Sequence, residues 1–396
     1  MAMQDRTIEP ALELLVTKYP VVTITGPRQS GKTTLCRKVF PDMPYVNLES
    51  PDERQFARDD PKGFLKSHKD GAILDEIQRT PDLLSYLQPM IDEDPRPGRF
   101  IVTGSQQFNV REALSQSLAG RTGLLTLLPF DWSEIQPYMD LSNVDSLLLH
   151  GFYPRLHDMQ IRPSQAMADY FETYVQRDVR QLIQIRQASL FEKFVRLCAG
   201  RTGQLLNFQN LGNETGISHT TAREWFSILE ASYIIFQLPP WHANISKRLI
   251  KSPKMYFWDV GLAAYLLGLE EERQVSRDPL RGSLFENMVV AEVFKQYYHQ
   301  GRRPRLFFYR DGSGNEVDLL LERGHDLVLI EIKSGETVTR HYFQGMNRFA
   351  KIVGDRTKGG LVVYGGSDRQ ARSDWEVWPV RGMEGIMNRV SHFFAD

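Results

Sequence analysis

The run Gly26-Pro27-Arg28-Gln29-Ser30-Gly31-Lys32-Thr33 places two glycines five positions apart, then a lysine and a threonine. Glycines let the backbone curl until several N–H groups converge on one point, as binding a phosphate requires. A helix starting behind the loop adds partial positive charge. The Lys32 ammonium would neutralise β- and γ-phosphate oxygens, and the Thr33 hydroxyl would ligate Mg2+. Gly26, Pro27, Arg28, Gln29, Ser30, Gly31, Lys32, Thr33 and Thr34 are therefore the expected nucleotide contacts, for ATP with Mg2+. The alternative is a glycine-rich turn without a ligand.

Ala72-Ile73-Leu74-Asp75-Glu76 reads as a buried strand ending in two acids. In a parallel sheet its carboxyl end lies beside the phosphate loop. Asp75 would hold Mg2+, through a water, and Glu76 would orient and polarise the attacking water. The bland alternative is an acid pair that caps a helix. A third strand, Phe100 to Thr103, ends in Gly104-Ser105-Gln106. There Ser105 would touch the γ-phosphate or the attacking water, or simply cap a helix. Arg121, after Gly120, is either a solvated surface residue or a catalytic charge that reaches a neighbouring subunit's γ-phosphate.

A second constellation lies near the C-terminus. Glu316-Val317-Asp318 and Glu331-Ile332-Lys333 flank the polar turn Arg323-Gly324-His325-Asp326, so a hairpin is expected. With a period of two, Glu331 and Lys333 share a face that Asp318 can reach from the paired strand. Glu286, on a preceding helix, would supply a fourth acid group. An acid followed by Glu-x-Lys on adjacent strands is the signature of the restriction-endonuclease-like PD-(D/E)xK fold. The carboxylates of Asp318 and Glu331, with Glu286, would bind Mg2+, and Lys333 would position or deprotonate a water. A cross-strand ion pair is the competing explanation.

Basic residues also cluster. Lys247, Arg248, Lys251 and Lys254 follow a presumed helix-turn-helix, and Arg302, Arg303, Arg305 and Arg310 form another excess. Both are candidate phosphate contacts. His219, Thr220, Thr221 and Arg223 open the presumed second helix, where a recognition helix meets the major groove. Solvated faces are the alternative for the basic runs. Trp225, Phe226, Tyr233 and Trp241 read as core.

The elements that must position these groups follow from pattern. Short apolar, β-branched runs at Val21–Thr25, Tyr45–Leu48, Ala72–Leu74, Phe100–Thr103 and Leu124–Leu127 suit a parallel sheet, with crossover helices at Thr33–Phe40 and Leu83–Ile91. Helical spacing follows from Trp132 to Leu197, then two short helices within 205–255 and a strand-like wing from Ile234. A second α/β unit starts near Gly282. The expected division is 1–135 (P-loop ATPase core), 136–199 (helical linker or lid), 200–275 (winged-helix-like) and 276–396 (nuclease-like). The fold class is α/β.

Composition sets outer limits. The 396 residues carry 48 Lys and Arg against 49 Asp and Glu, net −1, which excludes a uniformly basic coating protein. At 41% hydrophobic and 24% charged the chain is globular. Cys36 and Cys198 are too few for a disulfide scaffold and are expected to be buried thiols in a reducing, cytoplasmic setting. No apolar run approaches the ~18 residues of a membrane span, and residues 1–5 lack the charged and apolar regions of a signal peptide.

The order Gly26–Thr33, Ala72–Glu76, Thr103–Gln106 and Leu118–Arg121 resembles the AAA-superfamily ATPases. More narrowly, the chain resembles the prokaryotic group that joins such an ATPase to a C-terminal domain of unknown function 4143. That resemblance runs over almost the whole chain, through Gly151–Pro154, Tyr174–Val179, Gly282–Asn287, Glu316–Asp318 and Glu331–Lys333. It implies an ATP-binding core, a winged-helix-like middle and a nuclease-like end. It also implies homo-oligomers, commonly rings and here expected to be hexameric, in which one subunit's Arg121 completes the next subunit's site. Arg155 and Arg177 are rivals for that role. The resulting expectation is a Mg2+-dependent ATP hydrolase that moves or remodels DNA, in particular branched DNA such as Holliday junctions, without a membrane partner. An ATP-gated nuclease and a nucleotide-dependent switch that binds protein partners are the alternatives.

Overall fold

The computed structural model describes residues 4–105, 118–179, 187–243 and 252–395, without the side chains of 176–178. Gln106, Lys247, Arg248, Lys251 and the side chain of Arg177 therefore lie outside what is described. The chain forms two compact units. The first comprises 1–134, 231–233 and 297–302; the second comprises 135–230, 234–296 and 303–396.

In the first unit five strands, β1 (Val21–Thr25), β2 (Tyr45–Asn47), β3 (Ala72–Asp75), β4 (Phe100–Gly104) and β5 (Thr122–Thr126), form a parallel sheet in the order β2-β3-β4-β1-β5. The apolar runs are continuous because both faces are covered. Val22, Ile24, Ile73 and Ile101 join one core with Leu12, Leu35 and Cys36. Val21, Leu74, Phe100 and Val102 join another with Phe64, Leu84 and Leu87. Each such side chain contributes about 1.5–3 kcal/mol on burial. The helices Lys32–Val39 and Leu83–Glu93 are among those that cover the sheet. The order sets the chemistry: β4 lies between β1 and β3, so the end of β4 reaches the phosphate loop and the acids of β3 together.

The second unit contains a mixed sheet of β8 (Leu306–Arg310), β9 (Glu316–Arg323), β10 (Asp326–Lys333), β11 (Thr357–Tyr364), β12 (Gln370–Ala371) and β13 (Glu376–Pro379), in the order β12-β13-β11-β10-β9-β8. The β9–β10 hairpin turns at Gly324, whose φ of 62° is the left-handed conformation glycine adopts freely. Helices Phe208–Thr215 and His219–Ala231 precede the antiparallel pair β6 (Ile235–Leu238) and β7 (Lys254–Phe257). Trp225, Phe226, Tyr233 and Trp241 are all buried, as expected of core residues. Among the described residues no helix is long and apolar enough to cross a membrane.

Candidate functional site

The run Gly26–Thr33 links β1 to the helix Lys32–Val39. Gly26 is required there, because a Cβ would lie 2.0 Å from the Leu127 carbonyl oxygen. Gly31, at φ 92°, turns the chain into the helix. Gln29 also occupies the left-handed region, at φ 62°, a conformation that costs a non-glycine residue about 1–3 kcal/mol and concentrates at ligand sites. Lys32 is buried, and its Nζ donates to the carbonyls of Gly26 (3.1 Å) and Pro27 (2.7 Å). Burial pushes its pKa down, against the pull of Glu76 and Asp75. Pro27 and Ser30 are buried, Thr34 is exposed, and Arg28 is paired with Glu49 at 3.0 Å.

Asp75, 3% exposed, is the hub. Its Oδ2 accepts from Thr33 Oγ1 at 2.7 Å and from Tyr45 Oη at 2.6 Å, while Oδ1 accepts from the Thr103 hydroxyl. Thr103 Oγ1 in turn accepts from the Glu76 amide at 3.2 Å. Glu76 has φ 60°. Its Oε2 accepts from Ser105 Oγ at 3.2 Å and from Gln78 Nε2, and Gln78 also donates to Ser105 at 2.9 Å. A neutral hydroxyl and a carboxylate oxygen in contact make a hard-oxygen pair that fits Mg2+. Loop amides followed by a lysine fit a triphosphate, so the residues present suit both groups.

Arg121 lies elsewhere. Its carbonyl accepts from Val21 N at the amino end of β1, the opposite end of that strand from the loop. Its guanidinium is engaged with Asp92, with Nη2 to Oδ2 at 3.0 Å. It takes no part in its own chain's site.

Several residues of this region had no sequence signal. Tyr45 and Gln78 sit in unremarkable contexts. Tyr233, at φ 57°, donates from Oη to Thr25 Oγ1 at 2.7 Å, one residue before the loop. Arg6 is buried; its Nη1 donates to the Ser30 carbonyl at 2.7 Å, its Nη2 to the Leu128 carbonyl at 3.0 Å, and its Nε lies 2.9 Å from Glu134 Oε1. Asp131, Glu134 and His299 bring potential metal-ligand atoms within 4.8 Å of one another. Those atoms are already in use. Asp131 Oδ1 accepts from Ser133 and the Glu134 amide, and Oδ2 faces His299 Nδ1 at 2.9 Å. Glu134 accepts from Thr7 N and Asp131 N, and Leu128 N donates to His299 Nε2. A proton donated to Nε2 leaves Nδ1 as the N–H. Burial would raise the Asp131 carboxyl, but the His299 and Ser133 bonds hold it well below the usual range. The cluster is a saturated lock on the loop's surroundings.

In the second unit β9, β10 and the helix Arg281–His299 bring four acids to one place, and β7 brings Lys254. Lys333 Nζ lies 3.1 Å from Asp318 Oδ2 and 2.6 Å from Glu331 Oε1, and the Ile332 amide donates to Asp318 at 2.8 Å. Lys254 Nζ lies 2.8 Å from Glu286 Oε1 and 2.5 Å from Glu316 Oε1, and Tyr256 Oη donates to Glu286 at 2.6 Å. Burial raises Glu286, and burial beside Asp318 pushes Glu331 up to about 8. Lys254, at 3% exposed, is therefore no phosphate contact, in contrast to the sequence expectation: two carboxylates draw it inward. Of the other basic cluster, Arg305 pairs with Glu322 and Arg310 with Glu316. His219, Thr220 and Arg223 are exposed, as is Arg155.

Family models match three stretches: an AAA domain over residues 18–136, a domain of unknown function (DUF8612) over 141–273, and a domain of unknown function (DUF4143) over 281–383. Uncharacterized proteins of Mycobacterium bovis and Mycobacterium tuberculosis are each 32% identical over 341 residues, 85% of this chain and 75% of theirs. Among solved structures, a Walker-type ATPase of Pyrococcus abyssi aligns at 15% identity, covering 67% of this chain and 96% of its own, with a TM-score of 0.47. AMPPCP-bound DnaA from Aquifex aeolicus aligns at 13% identity, covering 56% of this chain and 85% of its own, with a TM-score of 0.30.

Proposed function

Since this chain belongs to the family of AAA-domain P-loop ATPases that carry a C-terminal DUF4143 domain, we propose that it is a Mg2+-dependent ATP hydrolase that engages DNA as a cytoplasmic homo-oligomer. The observation that carries the reading is the contact of Thr33 Oγ1 with Asp75 Oδ2 at 2.7 Å, one residue beyond Lys32. Mg2+, when bound, offsets phosphate charge. The chain's own groups do the rest. Loop amides and Lys32 hold the phosphates; Thr33 and Asp75 hold the ion. Glu76, steered by Ser105 and Gln78, orients and polarises the attacking water. Arg121, at the amino ends of the strands, serves a neighbouring subunit in a hexameric ring.

The DNA part rests on the paired helices Phe208–Thr215 and His219–Ala231, whose exposed His219, Thr220 and Arg223 form the reading face of a winged-helix-like segment. We read the chain as a core (1–135), a helical linker (136–199), that segment (200–275) and a nuclease-like end (276–396). Branched DNA such as a Holliday junction is the proposed substrate. A gel-shift panel of single-strand, duplex and four-way-junction DNA, with and without a non-hydrolysable ATP analogue, tests this. Nucleotide-dependent binding of the junction, and DNA-stimulated hydrolysis abolished by Glu76→Gln, are expected. No DNA binding at low salt would refute the DNA role and favour a switch that binds protein.

A second reading is favoured by one observation: Lys333 bridges Asp318 and Glu331. On this reading the C-terminal domain cleaves DNA under ATP control, with Asp318, Glu331 and Glu286 as the Mg2+ carboxylates. Mg2+-dependent cleavage lost in Lys333→Ala supports it; an intact substrate with wild-type protein overturns it.

A further inference from the structure

We propose that Lys254 takes the place of a second metal ion in the C-terminal carboxylate cluster, leaving Asp318 and Glu331 to hold a single divalent cation. This rests on the reading of that cluster as a cation site, but assigns Glu286 to Lys254 and not to the ion. Four carboxylates meet there: Glu286 from the helix Arg281–His299, Glu316 and Asp318 from β9, and Glu331 from β10.

Lys254 reaches them from β7. Its ammonium bridges Glu286 at 2.8 Å and Glu316 at 2.5 Å. A buried ammonium is costly unless paired, and the two half-buried carboxylates would repel each other without it. The lysine thus supplies the positive charge between Glu286 and Glu316 that a metal ion would otherwise supply, and its three N–H donors satisfy oxygens that need no further ligand.

The Asp318–Glu331 side is incomplete. Glu331 is 7% exposed, and its Oε2 is buried with no hydrogen-bond partner, while Oε1 faces Lys333. Its nearest electrostatic neighbours besides Lys333 are Asp318 and Glu286. A carboxyl oxygen buried without a partner among acids calls for a proton or a cation, and a divalent ion takes the place of the proton. Carboxylate donors without thiolate or imidazole select Mg2+ or Mn2+. One lysine, Lys254, fills one cation position by covalent attachment, and the other position is left for an exchangeable ion.

The test counts Mn2+ bound to the full chain without nucleotide, by electron paramagnetic resonance, and follows melting by circular dichroism. Wild type should bind one Mn2+ that is lost in Glu331→Gln. Lys254→Met should bind one more, lost again when Glu286→Gln is added, and millimolar Mn2+ should raise its melting temperature more than that of wild type. A Lys254→Met chain that folds only with Mn2+ supports the proposal equally. A wild-type site unchanged in number by Lys254→Met, or a variant that Mn2+ neither stabilises nor restores, overturns the role of Lys254 alone. A wild-type chain with no Mn2+ site sensitive to Glu331→Gln overturns the cation site itself.

Discussion

Arg6 is the residue whose removal should disturb the nucleotide site most from a distance. It is 7% exposed and Glu134 is 2% exposed, so the pair is desolvated. Removing one member of a buried pair costs about 3–5 kcal/mol, because the other charge stays behind. The carbonyls of Ser30 and Leu128 also lose donors, at about 1–3 kcal/mol for each that water does not reach. Glu134 keeps the amides of Thr7 and Asp131, which softens the loss. Arg6→Met, which keeps an apolar stem but loses the guanidinium over Phe130, should therefore destabilise the first unit by about 4 kcal/mol. For a unit of this size that lowers the melting temperature by about 8–16 °C. Because Arg6 holds the Ser30 carbonyl, ATP affinity should fall about tenfold, or 1.4 kcal/mol. Scanning calorimetry of Arg6→Met, Glu134→Gln and the double variant reads the pair directly. The double variant should cost little more than Arg6→Met, since the two act on one interaction. Melting of Arg6→Met within about 2 °C of wild type, or fully additive losses, would refute the reasoning.

Tyr45→Phe removes one of three hydroxyls on Asp75, a bond to a charged acceptor worth about 1.5–3 kcal/mol; the Mg2+ concentration for half-maximal hydrolysis should rise about tenfold, and an unchanged Mg2+ titration counts against Tyr45 as a positioning residue. Arg121→Ala should keep ATP affinity yet lose hydrolysis, and mixing it with inactive Lys32→Ala should restore turnover; no recovery on mixing rejects action in trans. His157 and Asp259 set opposite pH slopes in the second unit. Burial lowers His157 to about 4, so its contribution is present above the unfolded value near 6.5 and lost as pH falls towards 4. Burial raises Asp259 to about 6, so its contribution is present below the unfolded value near 3.8 and lost as pH rises through 6. In His157→Phe the loss on acidification disappears while Asp259, with the raised Glu331 and Glu286 of the same unit, still favours low pH, so urea denaturation should show stability rising more from pH 7 to 4 than in wild type; an unchanged profile would contradict the His157 assignment.

The parts of the molecule legible in sequence share one property: their function depends on residues contiguous in the chain. A phosphate loop works through its own backbone, so Gly26–Thr33 declares itself, and Asp75 and Glu76 are marked by the apolar strand they end. The donors that complete Asp75 come from other strands. Tyr45 is 30 residues away and Thr103 is 28 residues away. Tyr45 meets it because β2 pairs with β3, and Thr103 because β4 pairs with β3 on the other side; no local pattern encodes that order. The C-terminal acids were legible for the converse reason, since a hairpin brings Asp318 opposite Glu331 through a short turn. Lys254 shows where such reasoning stops. Within the basic run 247–254 it is one positive charge among several and reads as solvent-facing. Its partner Glu286 lies 32 residues on, in another element. A charge is buried or exposed according to its partner, and the partner is a property of the tertiary fold. One of four equally weighted candidate phosphate contacts is therefore an internal counter-charge.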